Sequence, residues 1–137
     1  MQKRKVIPKK VREAVYQKYD GRCAYCGRKI EYKDMQIDHL IPIQRERFGK
    51  LSEEQIECFE NYMPSDRICN HYKRAHSLET FRRYIEEIPK KLDRDSYIYR
   101  IGKKYNLIEE HPHKITFYFE EIDDARKQLL EQNLAQK

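Results

Sequence analysis

The sequence predicts a small α+β fold in which a thiol-held metal knuckle fixes two short strands and a helix, and three observations carry that prediction. Cys23-Ala24-Tyr25-Cys26 has the spacing of a metal knuckle, with Cys69 downstream. Two short runs, Met35 to Pro42 and one opening at Asn61, have the length and composition of strands. The flanking segments repeat apolar residues at helical spacing.

Taken in order, Pro8 suits the first turn of a helix in which Val11, Val15 and Tyr19 recur on one face, and Gly21 is a natural stop. That helix delivers the chain to Cys23. A redox Cys-x-x-Cys opens a helix after a buried strand, whereas Cys23 follows a helix, so the pair reads as a zinc knuckle. Disulfides are disfavoured because no secretory signal is visible. Cys58 reads as a small buried apolar residue beside Phe59. The alternation through Met35, Ile37 and His39 reads as a strand that Pro42 ends, which puts Asp38 and His39 near its terminus. The polar stretch from Ile43 to Glu60 holds a short helix opened by a Ser52/Gln55 capping box. A second strand from Asn61 turns through another knuckle into a helix beginning near Cys69. Asn70 and Lys73 then share one helical face and can point at one ligand.

Further on, Ser77 caps a helix with a core stripe of Leu78, Phe81, Ile85 and Ile88, closed by Pro89. A helix from about Asp95 to Tyr105 turns Ile98, Ile101 and Tyr105 inward, weakened by Gly102. Ile115 to Phe119 alternates as a strand, and Ile122, Ala125, Leu129 and Leu134 predict a closing amphipathic helix. His111 and His113 read as loop histidines.

The 137 residues suit one domain with an appended subdomain. Charged residues make up 38% and there is no Trp. With no apolar stretch able to cross a bilayer or form a signal-peptide core, the expectation is a soluble intracellular protein without a membrane partner. Lys and Arg number 29 against 23 acidic residues, a net charge of +6 and a pI near 9.1, which favours phosphate-bearing partners. The basic excess lies at the N-terminus, where only Glu13 and Asp20 oppose Lys9, Lys10, Arg12, Arg22, Arg28 and their neighbours. A carboxylate beside an imidazole at Asp38-His39 lets a hard cation and a general base meet at one point.

The ordered set Cys23-x-x-Cys26, Asp38-His39-x-x-Pro42, Asn61 and Cys69-Asn70-x-x-Lys73 resembles the HNH endonucleases, in particular the small phage and mobile-element type with zinc knuckles. The resemblance spans about Tyr19 to Ser77. It implies a ββα-metal (His-Me finger) core, and hence an HNH nuclease domain over 1–78 with a basic N-terminal helix. Residues 79–137 would form a helix-helix-strand-helix extension packed on it.

By the same resemblance His39 is the general base that activates water. Asp38 and Asn70 hold one catalytic cation, Mg²⁺ or Mn²⁺, which stabilises the phosphate and the 3′ leaving oxygen. Asn61 fixes the loop and helps orient the His39 ring, and Lys73 lies near the phosphate. His71 is a phosphate contact or a packing residue, while the N-terminal charge excess, apart from the resemblance, makes Lys9, Lys10, Arg12, Arg22 and Arg28 the expected DNA contacts. Where the family's second knuckle carries a further Cys this sequence has Asp66, so the implied structural Zn²⁺ set is Cys23, Cys26, Asp66 and Cys69. The alternatives are His71 or water as fourth ligand, or buried thiols without metal. Double-stranded DNA is the implied partner, and the implied setting is the cytoplasm of a bacterial host or phage-infected cell, with a dimer or a larger phage complex open. The alternative function is a catalytically weak zinc-knuckle DNA-binding or packaging-associated factor.

Overall fold

The structure, a computed structural model, describes residues 6–43 and 51–135. Within them seven α-helices and one two-stranded antiparallel sheet make an α+β architecture: α1 (Lys9–Lys18), β1 (Gln36–His39), α2 (Glu53–Ile56), β2 (Tyr62–Ser65), α3 (Arg67–Lys73), α4 (Leu78–Glu86), α5 (Ile88–Asp95), α6 (Tyr97–Lys104) and α7 (Tyr118–Ala135). Part of the polar connection, 44–50, lies outside the described residues. The chain divides into two compact units, Met1–Ser77 with Thr116–Lys137, and Leu78–Ile115. The last helix therefore belongs with the first unit, whereas 79–137 read in the sequence as one extension. Among the described residues no helix is long and apolar enough to cross a membrane.

In the first unit Pro8 sits as the N-cap of α1 in extended conformation, one position before the expected one. Val15 and Tyr19 are buried, and Gly21 ends the turn at φ +74°, where a Cβ would meet the Tyr16 hydroxyl at 2.9 Å. Lys18, at the end of α1, donates through Nζ to the carbonyls of Phe59, Glu60 and Tyr62, which ties the helix to the start of β2. The strands pair Gln36 with Ser65, Ile37 with Pro64, Asp38 with Met63 and His39 with Tyr62. The expected capping box at Ser52 and Gln55 forms in both directions. Cys58 is half-buried, its thiol donating to the Gln55 carbonyl at 3.3 Å, rather than a core residue.

No strand forms at Ile115–Phe119. The backbone N–H groups of Tyr118 and Phe119 instead donate to the carbonyls of Tyr25 and Ala24 at 3.1 and 2.8 Å, and α7 begins at Tyr118. The period-two pattern is met by burying Phe117 and Phe119 against the knuckle, both edge-on to the Tyr25 ring. Farther along α7, Leu129 and Leu134 stand 58% and 66% exposed, so the closing helix buries less of its apolar face than its sequence predicts.

In the second unit Phe81 alone of the expected stripe is fully enclosed. Pro89 lies in the first turn of α5, a helix the sequence did not suggest, because proline's missing N–H is harmless there. The inward face of α6 is reversed: Ile98 is 81% and Tyr105 70% exposed, while Gly102 is buried. A Cβ at Gly102 would lie 2.5 Å from Ile108 Cδ1, so the glycine decides which side of the helix the following chain packs on.

Candidate functional site

The knuckle turn is held open toward β2 and α3. Cys23 N–H donates to Arg28 O at 2.8 Å, Gly27 N–H returns to Cys23 O at 2.9 Å with φ +77°, and Ala24 N–H donates to Pro64 O at 2.8 Å. Asp66 caps α3, its Oδ1 accepting from the Cys69 N–H at 2.7 Å. Its other oxygen faces the thiols of Cys26 at 3.0 Å and Cys69 at 3.6 Å. One carboxylate thus meets two demands, which the sequence could not show. The ligand atoms of Cys23, Cys26, Asp66 and Cys69 all lie within 4.8 Å of one another. A tetrahedral ion with Zn–S bonds of about 2.3 Å needs sulfurs roughly 3.8 Å apart, within a small side-chain rotation of this arrangement. The group could hold a metal ion.

Proton sharing inside the cluster is uneven. The Cys69 thiol donates to Cys23, which draws the Cys23 thiol down to about 6 and pushes Cys69 upward. Burial and the neighbouring Asp66 raise Cys26 to about 12. Burial by itself would raise the Asp66 carboxyl, but the Cys69 N–H and the surrounding thiols outweigh it and hold the carboxyl below its ordinary range. Negative charge in this donor set therefore rests on Cys23 and Asp66, and a cation bound by all four would displace the protons of Cys26 and Cys69.

Adjoining the sheet, Ile37, Asp38, His39, Pro42, Asn70 and Arg74 line a cleft of about 270 Å³. The tyrosine inside the knuckle, Tyr25, donates its hydroxyl to Asp38 Oδ2. The same oxygen meets Lys73 Nζ at 2.9 Å, and that ammonium also donates to the His39 carbonyl at 3.0 Å. Lys73 is completely buried and holds the Asp38 carboxylate in place, contrary to the expectation of a lysine reaching for phosphate. His39 Nε2 lies 2.9 Å from Glu57 Oε1, and Glu57 Oε2 accepts from the Tyr62 hydroxyl at 2.7 Å. The Tyr62 ring stands edge-on to the imidazole at 5.3 Å. Asn61 is buried and knits the loop after β1: Oδ1 accepts from Ile41 N–H at 2.7 Å, and Nδ2 donates to the carbonyls of Ile41 at 3.0 Å and Ile56 at 2.9 Å. It fixes the loop, while Glu57 and Tyr62 orient the ring. Asn70 Nδ2 donates to Gln36 Oε1 at 2.6 Å.

The expected nucleic-acid contacts separate into two groups. Lys9, Lys10, Arg28 and His71 are exposed. Arg12 is turned inward, donating to the carbonyls of Tyr32 at 3.1 Å and Met35 at 2.6 Å and covering the Tyr32 ring, and Arg22 donates to Gly27 O at 2.9 Å. These two brace the fold around the knuckle, Arg12 by bridging two backbone carbonyls and Arg22 by holding one. Sequence reasoning missed Arg74, which lines the cleft, and Glu57 and Tyr25, which hold the cleft residues His39 and Asp38. Glu57 follows directly on the capped α2, which was the one available signal. No protein-family model, curated protein or solved structure matches the chain.

Proposed function

We propose that the protein is a metal-dependent DNA endonuclease of the HNH type, with β1, β2 and α3 as its ββα-metal unit. The observation that carries this reading is the convergence of Asp38, His39 and Asn70 on one cleft, with Asn61 tying the loop that leaves His39. Glu57, when ionised, only accepts hydrogen bonds, so His39 Nε2 carries the proton and Nδ1 keeps the lone pair. Nδ1 is then the atom that takes a proton from an attacking water, and Glu57 stabilises the imidazolium that results. The Tyr62 hydroxyl keeps the Glu57 carboxylate from rotating away.

Both donors to Asp38 take Oδ2, which leaves Oδ1 for the cleft, and the Asn70 amide is turned by Gln36 so that its Oδ1 is the atom left as acceptor. Two such oxygens suit a hard cation that keeps several waters, Mg²⁺ or Mn²⁺, which when bound supplies charge stabilisation to the phosphate and the 3′ leaving oxygen. A Zn²⁺ on Cys23, Cys26, Asp66 and Cys69 fits a structural role. Double-stranded DNA as substrate is favoured by the net charge of +6 and by the exposed Lys9, Lys10 and Arg28.

The test is cleavage of supercoiled plasmid with Mg²⁺ or Mn²⁺. The wild-type protein is expected to cut, and His39→Ala to lose cleavage with zinc content and DNA affinity nearly unchanged. Cleavage that survives in His39→Ala would reject the mechanism. The second reading, a DNA-binding or packaging factor without cleavage, is favoured by the partners Asp38 and Asn70 already have within the protein. DNA retention by a wild-type protein inert with both cations would select it.

A further inference from the structure

We propose that Arg74 is the phosphate-binding residue of the cleft, gripping the DNA backbone beside the scissile bond. The inference rests on the nuclease reading above. Lys73, the basic residue the sequence nominated, is sealed inside the protein against Asp38, so it cannot meet a phosphate. The next residue is exposed, lines the same cleft as Asp38, His39 and Asn70, and carries a guanidinium that no carboxylate pairs with among the described residues. A guanidinium presents a planar fork of donors that matches two phosphate oxygens at once, which a lysine does not.

The backbone supplies a second, independent observation. Arg74 terminates α3 at φ +52°, ψ −137°, a conformation strained for any residue with a Cβ and readily open to glycine. The other described non-glycine residues at positive φ are Asp20 and Asn106, types that tolerate it. An arginine has no such local reason to be there. Glycine would adopt these angles without steric strain, so the side chain at position 74 answers to something other than local backbone preference. The turn places Arg74 on the cleft while Lys73 points into the core.

The experiment compares Arg74→Gly and Arg74→Lys with wild type in plasmid cleavage, thermal unfolding and salt-dependent DNA binding, the binding measured in a His39→Ala background so that the DNA stays intact. Arg74→Gly is expected to unfold at a higher temperature, yet to lose on the order of 10²-fold in cleavage through removal of a bidentate phosphate contact. The slope of log K against log salt should shallow by about 0.9, the signature of one lost phosphate contact on duplex DNA. Arg74→Lys should keep the slope and recover part of the cleavage. Wild-type cleavage with an Arg74→Gly variant equal to it in rate and slope would overturn the assignment and leave the nuclease reading standing. A wild type inert toward DNA would overturn both.

Discussion

His39 is held by a carboxylate eighteen positions further along the chain, and replacing that carboxylate tests how the imidazole is tuned. Glu57→Gln presents an amide that can donate to Nε2, which would favour the wrong tautomer. On the proposed nuclease reading, kcat for duplex cleavage should fall on the order of 10²-fold with little change in DNA affinity, as befits a residue that acts through His39. Lys73 makes a contrasting case. Removing one partner of a buried ion pair leaves the other uncompensated, so Lys73→Met should destabilise the protein by about 3 kcal/mol in denaturant unfolding. The salt slope of DNA binding should stay unchanged, since a side chain with no exposure makes no phosphate contact. Asn61→Ala deprives Ile41 N–H, Ile41 O and Ile56 O of their partner at once, for about 2 kcal/mol or more.

At the scale of elements, α3 depends on Asp66 twice, as its cap and as a neighbour of the thiols. Asp66→Cys should increase zinc retention against a chelator, but the gain in melting temperature is offset by loss of a cap worth about 1 kcal/mol. Asp66→Asn should do the reverse, keeping the cap and releasing zinc sooner, and metal content after dialysis separates the two. The elements legible in the sequence were those whose signals are local. Pro8 and Gly21 bracket α1, Ser52 and Gln55 open α2, and the strand ending before Pro42 carries Asp38 and His39. What stayed hidden depends on distant contacts or on backbone angles. Ile98, Ile101 and Tyr105 form an apolar stripe that reads as inward-facing, yet the close approach permitted by Gly102 turns the other side of α6 toward Ile108. The alternation through Phe117 and Phe119 is common to strands and to extended segments that bury every second side chain, and only the donors' partners on the knuckle tell them apart. The motif set names Asp38, His39 and Asn70 at the cleft, whereas Arg74 reaches it through an uncommon φ, and Glu57 and Tyr25 reach His39 and Asp38 through tertiary packing.

Across the whole molecule, the segment after Ile115 rejoins the first unit and supports the site from behind. Phe117 and Phe119 flank the Tyr25 ring, and Arg126 on α7 lies over the Tyr19 ring and donates to Lys18 O at 3.3 Å. Ending the chain at Ile115 should therefore lower both melting temperature and cleavage, although none of the removed residues lines the cleft. Tyr25 carries a further consequence for anyone handling the protein. It stands between Cys23 and Cys26 of the group that could hold a metal ion while its hydroxyl holds Asp38, so a single turn of chain serves both that group and the proposed oxygen-liganded site. On the proposed nuclease reading, a chelator would strip the sulfur site as well as the oxygen site, and inactivation should become history-dependent. Mg²⁺ returned alone would restore little, Zn²⁺ followed by Mg²⁺ would restore most, and the lag before activity reappears would measure how fast the turn re-forms around its ion.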